Sequence, residues 1–176
     1  LPDHTISLAL ALFRKILWAD RDVKSGVWNW ERYRPIYNLG GLTAGVIGLG
    51  RLGKMVAKRY RALEMRVIAY DPYVRREDAE AIGAHLIDLK TLLKESDIVS
   101  IHTLLTKETF HLIGEKELGL MKKSAILVNT ARGKIVDQNA LYNALREKKI
   151  AAAGLDVLEK EPPEANDPIL KLDNII

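Results

Sequence analysis

The sequence predicts a doubly wound α/β protein, in which helices cover both faces of a parallel sheet. Two observations carry this prediction. From Thr43 onward, short apolar runs alternate with segments of helical periodicity, which is typical of βαβ units. The first apolar run is followed at once by glycines at positions 48, 50 and 53 and by an amphipathic helix. Right-handed crossovers between such units place ligands at the carboxyl ends of the strands.

The predicted elements follow in chain order. A helix over 4–25, capped by Asp3, leads to an aromatic connector from Trp28 to Tyr37. Strands are expected at 43–47, 66–70, 97–101, 125–129, 151–155 and from 174 onward. Helices are expected at 51–63, 75–82, 89–95, 114–121 and 138–147. The fold class is thus a Rossmann-type α/β sheet with an N-terminal helix packing outside it, and the chain divides into an arm (1–40) and a nucleotide-binding domain (41–176).

Composition excludes several classes of function. A chain of 176 residues can bury one core, and with no cysteine it has no disulfide framework, thiol nucleophile or Cys-based metal site. That composition is compatible with a cytoplasmic location, which we expect. The net charge of +4 is spread over helix faces without an aromatic platform, so we expect no nucleic-acid partner. We also expect no metal site.

The N-terminal apolar run from Ile6 to Trp18 does not indicate a membrane segment. Arg14 and Lys15 interrupt it, it is too short to span a bilayer, and it lacks the flanks of a signal peptide. Its apolar residues occupy nearly every helix face, which favours burial against another domain or subunit. The sequence begins without Met and ends on Ile175 and Ile176, which are typical of a starting strand, so we expect a domain taken from a longer protein.

The glycine-rich turn has the spacing of a dinucleotide-binding site. Gly48 permits a tight turn out of the strand, Gly50 lets the backbone approach a pyrophosphate, and Gly53 lets the helix pack closely on the strand. The helix that begins near Arg51 directs its free N–H groups, including that of Leu52, toward the phosphates.

An acid ends the second strand, as the same kind of site requires. Asp71 lies about 20 residues beyond the glycines, where a carboxylate accepts hydrogen bonds from the ribose hydroxyls of the adenosine. It also repels a 2′-phosphate, which favours NAD over NADP as the cofactor. Arg75 and Arg76 lie close by and could soften that preference, or they are simply the exposed first turn of the next helix.

Five later blocks carry a specific resemblance. They are Leu92 to His102 (LLKESDIVSIH), Leu105 to Thr109 (LTKET), Met121-Lys-Lys, Leu127 to Asp137 (LVNTARGKIVD) and Ala153 to Pro162 (AGLDVLEKEP). In this order and spacing the chain resembles the cofactor-binding domain of the D-isomer-specific 2-hydroxyacid dehydrogenases over essentially its whole length. The resemblance implies an NAD-dependent oxidoreductase that interconverts a D-2-hydroxy acid and its 2-oxo acid. The substrate classes it implies are 3-phosphoglycerate, glyoxylate and hydroxypyruvate, and the substrate domain is expected to be absent from this chain.

The resemblance also implies roles for individual residues. Arg132 follows a predicted strand and would hold the substrate carboxylate in its planar fork and polarise the 2-oxo group. Glu161 would support the catalytic histidine and raise its pKa, and Glu159 is its rival. Glu161 is preferred because it directly precedes Pro162, as the family pattern requires.

Cofactor contacts are implied at four further points. Asp156, at the end of the strand 151–155, would contact the nicotinamide carboxamide. The backbone at Thr130 and Ala131, together with Arg132, would line the cofactor, and Thr106 would lie near the adenosine. With Gly48, Gly50, Arg51, Leu52, Gly53 and Asp71, these residues complete the expected cofactor site.

Two departures from the family pattern have consequences. Leu104 stands where the family usually has proline, which could reshape the loop over the adenosine. The family's catalytic histidine would follow the strand that begins at Asn174, and none of His4, His85, His102 and His111 is at that position. His102 could line the cofactor site, and His85 and His111 are expected to be ordinary surface or partly buried residues. The chain alone is therefore expected to have little or no activity.

Other functions remain open from the sequence alone. Relatives of these enzymes include transcriptional corepressors that use the same domain as an NAD sensor, and nothing in the chain favours or excludes that role. A formate dehydrogenase is disfavoured because it carries an amide where Glu161 stands. Finally, the aromatics of the first 40 residues, Trp18, Trp28, Trp30, Tyr33 and Tyr37, favour a homodimer over packing on the domain's own sheet.

Overall fold

The computed structural model describes residues 1–176 and contains one six-stranded parallel sheet. The strands are β1 (Thr43–Ile47), β2 (Arg66–Tyr70), β3 (Ala84–Leu86), β4 (Ile98–Ile101), β5 (Ile126–Asn129) and β6 (Ala152–Leu155). Their order in the sheet is β3-β2-β1-β4-β5-β6. The strand order reverses between β1 and β4, which makes the carboxyl edge there a switch point where ligands bind. The predicted Rossmann-type fold class is confirmed.

The chain also contains seven α-helices and three short 3-10 turns. They are α1 (Pro2–Phe13), α2 (Ile16–Lys24), α3 (Arg51–Ala62), α4 (Arg76–Glu80), α5 (Leu89–Glu95), α6 (Glu115–Leu118) and α7 (Gln138–Arg146). The 3-10 turns are Trp30–Tyr33, Gly133–Ile135 and Pro168–Lys171. None of these helices combines the length and the apolar character that crossing a bilayer requires.

The core consists of two layers, one on each face of the sheet. On one face, Val46 and Ile98 pack against Val56 and Tyr60 of α3 and against Leu12 of α1. On the other face, strand residues that alternate with these pack against α5, α6 and α7. Every residue of β1, β4 and β5 is buried, because helices cover both faces, and this explains their continuous apolar runs.

The predicted helix over 4–25 is wrong as one element. It is divided at Arg14 and Lys15, where Lys15 adopts a left-handed conformation with φ of 56°. The guanidinium of Arg14 donates to the Tyr37 carbonyl and to Asn38 at 3.1 Å, so it ties the break to the end of the connector. The break turns the chain away from the sheet, and α2 has no buried residue.

The cap predicted at Asp3 is also wrong. Leu1 is the N-cap of α1, and no side chain caps the helix, because the leucine side chain has no hydrogen-bond acceptor. Asp3 lies inside the first turn, where it accepts a hydrogen bond of 2.7 Å from Arg59 of α3.

Two differences concern the edges of the sheet. β3 was not predicted, since its three residues are too few to show a period, yet it pairs with β2 in parallel. The strand expected from 174 onward is reduced to a single bridge between Ala153 and Ile175, beside β6. The other five predicted strands agree with the structure to within one residue at each end.

Candidate active site

The glycine turn between β1 and α3 lies at the switch point of the sheet. Gly48 has a φ of +88°, and a Cβ there would come within 2.6 Å of the Thr103 nitrogen. A Cβ on Gly53 would lie 1.9 Å from the Gly48 carbonyl oxygen, so the helix packs directly on the turn. Around Gly50, by contrast, nothing lies within 4 Å of an added Cβ. The turn thus leaves open backbone only at Gly50, where a phosphate can approach.

The N-terminus of α3 faces this open space. The helix begins at Arg51, so the N–H groups of Gly50, Arg51, Leu52 and Gly53 have no carbonyl partner earlier in the helix. No acidic side chain lies in this first turn to occupy them. Free N–H groups and the positive end of the helix dipole together form an anion site that fits a pyrophosphate.

Asp71 stands beside the turn at the end of β2. Its Oδ2 accepts a hydrogen bond from the Leu49 N–H at 2.7 Å, and its Oδ1 accepts one from the Tyr73 N–H at 2.9 Å. Arg75 forms a two-pronged pair with Asp78 at 3.1 Å, so its guanidinium is occupied elsewhere. Arg75 therefore does not pair with the Asp71 carboxylate.

A cavity of about 310 Å³ opens between this acid and the loop after β4. Its lining includes Gly48, Gly50, Asp71, His102 and Thr106. The Thr106 hydroxyl donates to Glu108 at 2.7 Å, which holds the pKa of that carboxyl below its ordinary value. Leu104, which replaces the family's usual proline, projects from the same loop with 79% of its surface exposed.

His102 forms the inner wall of the cavity, directly after β4. Burial lowers the pKa of His102 to about 4, because the charged imidazolium would lose its hydration there. Its Nε2 atom is inaccessible to water and has no hydrogen-bond partner. The residue is therefore neutral near pH 7, which suits the wall of a nucleotide pocket and not an acid catalyst.

The loop after β5 is built around the buried side chain of Asn129. Its amide nitrogen donates to the Arg132 carbonyl at 2.9 Å, and its oxygen accepts from the Ala131 N–H at 3.0 Å. These two bonds close the loop over residues 129–132. Arg132 is exposed at the carboxyl edge and forms no ion pair. Its Nη1 donates to the Ala131 carbonyl at 2.6 Å, which leaves the other N–H groups of the guanidinium for a substrate. Thr130 is buried beneath the loop, where its hydroxyl lies 2.9 Å from that of Thr5.

The loop after β6 contacts the loop after β5. A Cβ on Gly133 would lie 1.9 Å from the Leu158 carbonyl oxygen, so the backbones meet there without an intervening side chain. The Leu158 N–H in turn donates to Glu161 Oε1 at 3.1 Å. Arg132 and Glu161 thus flank one contact between neighbouring loops, and Glu161 is exposed with no cationic partner. Sequence spacing alone did not show that these loops touch.

Glu159, the rival of Glu161, is engaged in structural contacts. Its Oε1 accepts from the Gln138 N–H at 2.8 Å, and the Gln138 side chain accepts from the Glu159 N–H at 3.1 Å. His111 Nε2 lies 3.0 Å from the same Oε1, although off the line of a hydrogen bond. These contacts join the loops after β4, β5 and β6, and the sequence did not predict them.

The end of β6 brings Asp156 to the same edge. Its N–H donates to the Asn129 carbonyl at 3.0 Å, which continues the pairing of β5 and β6. Its carboxylate lies 3.2 Å from His4 of α1. No sequence signal linked these two residues, since the contact spans most of the chain. The expected site residues therefore form two groups along one edge. Asp71 and Thr106 line the cavity beside the glycine turn, and Arg132, Asp156 and Glu161 lie at the ends of β5 and β6.

These features define a dinucleotide-binding α/β domain. Comparison with known proteins adds the family. Residues 6–176 match the family model described as "D-isomer specific 2-hydroxyacid dehydrogenase, NAD binding domain". The chain belongs to this family, and the cofactor of its domain is NAD, as predicted. The comparisons give no support to a corepressor-like role.

Individual relatives agree with this assignment. The D-3-phosphoglycerate dehydrogenase of Archaeoglobus fulgidus is 55% identical over 174 residues, which cover 99% of this chain and 33% of that protein. The glyoxylate reductase of Korarchaeum cryptofilum is 48% identical and covers 99% of this chain and 53% of that protein. The chain thus spans between a third and about half of the length of these relatives.

A solved structure shows the same domain. The D-lactate dehydrogenase of Aquifex aeolicus, complexed with NAD and lactic acid, matches with a TM-score of 0.91 at 39% identity. The match covers 99% of this chain and 57% of that one. The similarity therefore extends over the whole chain described here.

Proposed function

We propose that the chain is the NAD-binding half of an oxidoreductase that interconverts a D-2-hydroxy acid and its 2-oxo acid. The observation that supports this best is the backbone contact between Gly133 and Leu158, which joins the two loops that carry Arg132 and Glu161. A dinucleotide-binding domain without a substrate role would not need an unpaired arginine and an unpaired carboxylate there.

The residues of the site divide between the two halves of the cofactor. Gly48, Gly50 and Gly53 with the N–H groups of Arg51 and Leu52 bind the pyrophosphate. Asp71 binds the adenosine ribose and Thr106 lies near the adenosine. The backbone at Thr130, Ala131 and Arg132 lines the nicotinamide half, and Asp156 accepts from its carboxamide. NAD supplies the hydride acceptor, or in its reduced form the donor.

Arg132 and Glu161 act on the substrate side of the proposed site. The exposed guanidinium of Arg132 holds the substrate carboxylate in a two-pronged hydrogen bond and polarises the 2-oxo group. Glu161 supports a histidine and raises the pKa of that histidine. The histidine exchanges a proton with the substrate oxygen. We expect that histidine and the substrate domain to lie outside residues 1–176, so residues 1–176 alone should turn over 2-oxo acids very weakly.

The substrate class follows from the relatives' names. They act, as named, on 3-phosphoglycerate and glyoxylate, and we propose the same class, with hydroxypyruvate, for the protein that carries this domain.

We further propose a homodimer formed through the N-terminal arm (1–40), and we call its residues 14–37 the aromatic arm. The arm carries exposed apolar side chains throughout, among them Trp28 at 86% and Trp30 at 56% exposure. A cluster of exposed aromatics of this kind is typical of an interface core. The domain division at residue 40 and the cytoplasmic location stay predictions.

The first test is a calorimetric titration of this chain with NADH and, in parallel, with NADPH. Saturable binding of NADH with NADPH at least about tenfold weaker is expected, because Asp71 repels a 2′-phosphate. Equal or tighter binding of NADPH would contradict the cofactor assignment. No binding of either nucleotide would contradict the proposed cofactor site of the isolated chain.

A further inference from the structure

The first turn of α1 lies against the nicotinamide side of the proposed site. Thr5, on that turn, places its hydroxyl 2.9 Å from the hydroxyl of Thr130, and both side chains are buried. Farther along the helix, a Cβ on Gly154 of β6 would lie 3.1 Å from Leu8 Cβ, so α1 packs directly on the strand. These contacts fix where the first turn of α1 stands relative to the ends of β5 and β6.

His4 projects from this turn toward the end of β6. Its Nε2 lies 3.2 Å from Asp156 Oδ1. No other side chain forms an ion pair or a hydrogen bond with the Asp156 carboxylate, and the Asp156 N–H is held by the Asn129 carbonyl. One carboxylate oxygen therefore faces His4, while the other is free toward the edge of the sheet.

We infer that His4 is a positioning residue for the cofactor. It holds the Asp156 carboxylate so that its free oxygen accepts an N–H of the nicotinamide carboxamide. The inference rests on the proposed function, since it requires the nicotinamide half to lie at the ends of β5 and β6.

Because the His4 and Asp156 side chains are partly exposed, we expect loss of their contact to lower the affinity for NADH and not the stability of the fold. The side chains of His4 and Asp156 are 49% and 40% exposed, and a polar pair in contact with water contributes little to folding. A nicotinamide ring at this edge covers the pair and removes water from it. The contact then strengthens, because the local dielectric constant falls.

The test compares NADH with ADP-ribose, which contains the adenosine, the pyrophosphate and the second ribose but no nicotinamide. Both are titrated calorimetrically into the parent chain, His4→Leu, His4→Gln, Asp156→Asn and the double variant His4→Leu/Asp156→Asn. Leucine removes the polar contact at similar volume. The glutamine amide nitrogen reaches about as far as Nε2 and should restore the contact. Thermal unfolding of each variant monitors the fold.

His4→Leu is expected to weaken NADH binding by about three- to tenfold, the effect of one lost polar contact, and to leave ADP-ribose binding unchanged. His4→Gln should bind NADH within about twofold of the parent. In the Asp156→Asn background, His4→Leu should add less than about a twofold loss, because its partner is altered already.

Three results would overturn the inference. An unchanged NADH affinity in His4→Leu would show that the contact has no role. Equal losses for NADH and ADP-ribose would show a general structural role of α1. Independent losses in the double variant would show that His4 does not act through Asp156. A parent chain that binds neither ligand would instead refute the proposed cofactor site, and with it the inference.

Discussion

The Asp71 carboxylate and the Leu49 N–H form a 2.7 Å hydrogen bond that joins the end of β2 to the glycine turn after β1. The acid expected to bind the ribose therefore also shapes the turn expected to bind the pyrophosphate. Tyr73 N–H holds the second carboxylate oxygen, so the orientation of the carboxylate is set before any ligand arrives. Such preorganisation reduces the cost of ordering the site on binding.

Asp71→Asn removes the charge of this residue but can keep its hydrogen bond with the Leu49 N–H. The asparagine oxygen can still accept from Leu49, but the negative charge that repels a 2′-phosphate is gone. We expect the preference for NADH over NADPH to fall by at least about tenfold, measured as the ratio of the two dissociation constants. Asp20→Asn, which makes the same charge change on α2, should leave that ratio unaltered. An unchanged ratio in Asp71→Asn would show that discrimination lies elsewhere.

Substitution by alanine should have different effects at two glycines of the turn: it should lower stability at Gly53 and NADH affinity at Gly50. Gly53→Ala places a Cβ 1.9 Å from the Gly48 carbonyl oxygen, and it should destabilise the fold by about 1–3 kcal/mol or more through overpacking. Gly50→Ala meets no atom within 4 Å at an ordinary φ of −67° and should cost less than about 1 kcal/mol. It should nevertheless weaken NADH binding, because the methyl group occupies the phosphate approach. Urea unfolding and calorimetric titration measure the two effects.

If Gly50→Ala bound NADH like the parent, the pyrophosphate would have to lie away from this backbone. If Gly53→Ala unfolded like the parent, the helix would have moved to make room. Either result would contradict the arrangement of the turn described here.

The sequence predicted those parts of the fold that depend on local pattern. The strands at 43–47 and 66–70 and the start of α3 at Arg51 follow from apolar runs and glycine spacing, and the structure agrees. β3 has no such pattern, because three residues held by pairing with β2 need not be apolar throughout. The break at Lys15 depends on the contact of Arg14 with residues 37–38, a tertiary effect that no local propensity reveals.

The same distinction applies to the site. The family resemblance implied Arg132 and Glu161, but not the backbone contact at Gly133 that brings their loops together. The contact of His4 with Asp156 depends on how α1 packs across the sheet, and the engagement of Glu159 depends on three loops meeting. Contacts between residues so far apart in the sequence can be identified only from the assembled fold.

Glu159 and Glu161 should differ in how much they contribute to the free energy of unfolding. Glu159→Ala leaves the Gln138 N–H in the first turn of α7 without its acceptor, and we expect a loss of about 1–2 kcal/mol in the free energy of unfolding. Glu161→Ala, whose carboxylate is exposed, should change that free energy by less than about 0.5 kcal/mol. Urea unfolding of the two variants at one pH makes the comparison. A larger loss for Glu161→Ala would reverse the assignment of structural and catalytic carboxylates.

Burial of His102 predicts a pH dependence of stability. The pKa of this residue falls from its ordinary value of 6.5 to about 4 in the folded chain, so between these values the unfolded state binds more protons. Stability should therefore fall as the pH decreases from about 6.5 toward 4, with a total contribution from this group of about 3 kcal/mol. Below about pH 4 the contribution becomes constant, because both states are then protonated.

Carboxylates also titrate near the lower end of this range, so the test is a difference. The pH dependence of unfolding free energy should be shallower in His102→Gln than in the parent between pH 4 and 6.5. His85→Gln, which removes an exposed histidine of β3, should behave like the parent. Parallel curves for His102→Gln and the parent would show that His102 is solvated and charged in the folded chain.

The exposed apolar side chains of the aromatic arm predict that the chain forms a homodimer. Ile16, Leu17 and Val23 of α2 are each at least 45% exposed, and Trp28 is 86% exposed. We expect a second copy of the 19.8 kDa chain to cover this apolar surface. Sedimentation equilibrium should give twice the monomer mass for the parent and the monomer mass for Trp28→Ser/Trp30→Ser, with the thermal unfolding of the monomer fold retained. Tyr73→Ser removes an aromatic side chain that is 90% exposed outside the arm, and it should stay dimeric. A monomeric parent chain, or a dimer that persists without both tryptophans, would place the interface elsewhere or remove it.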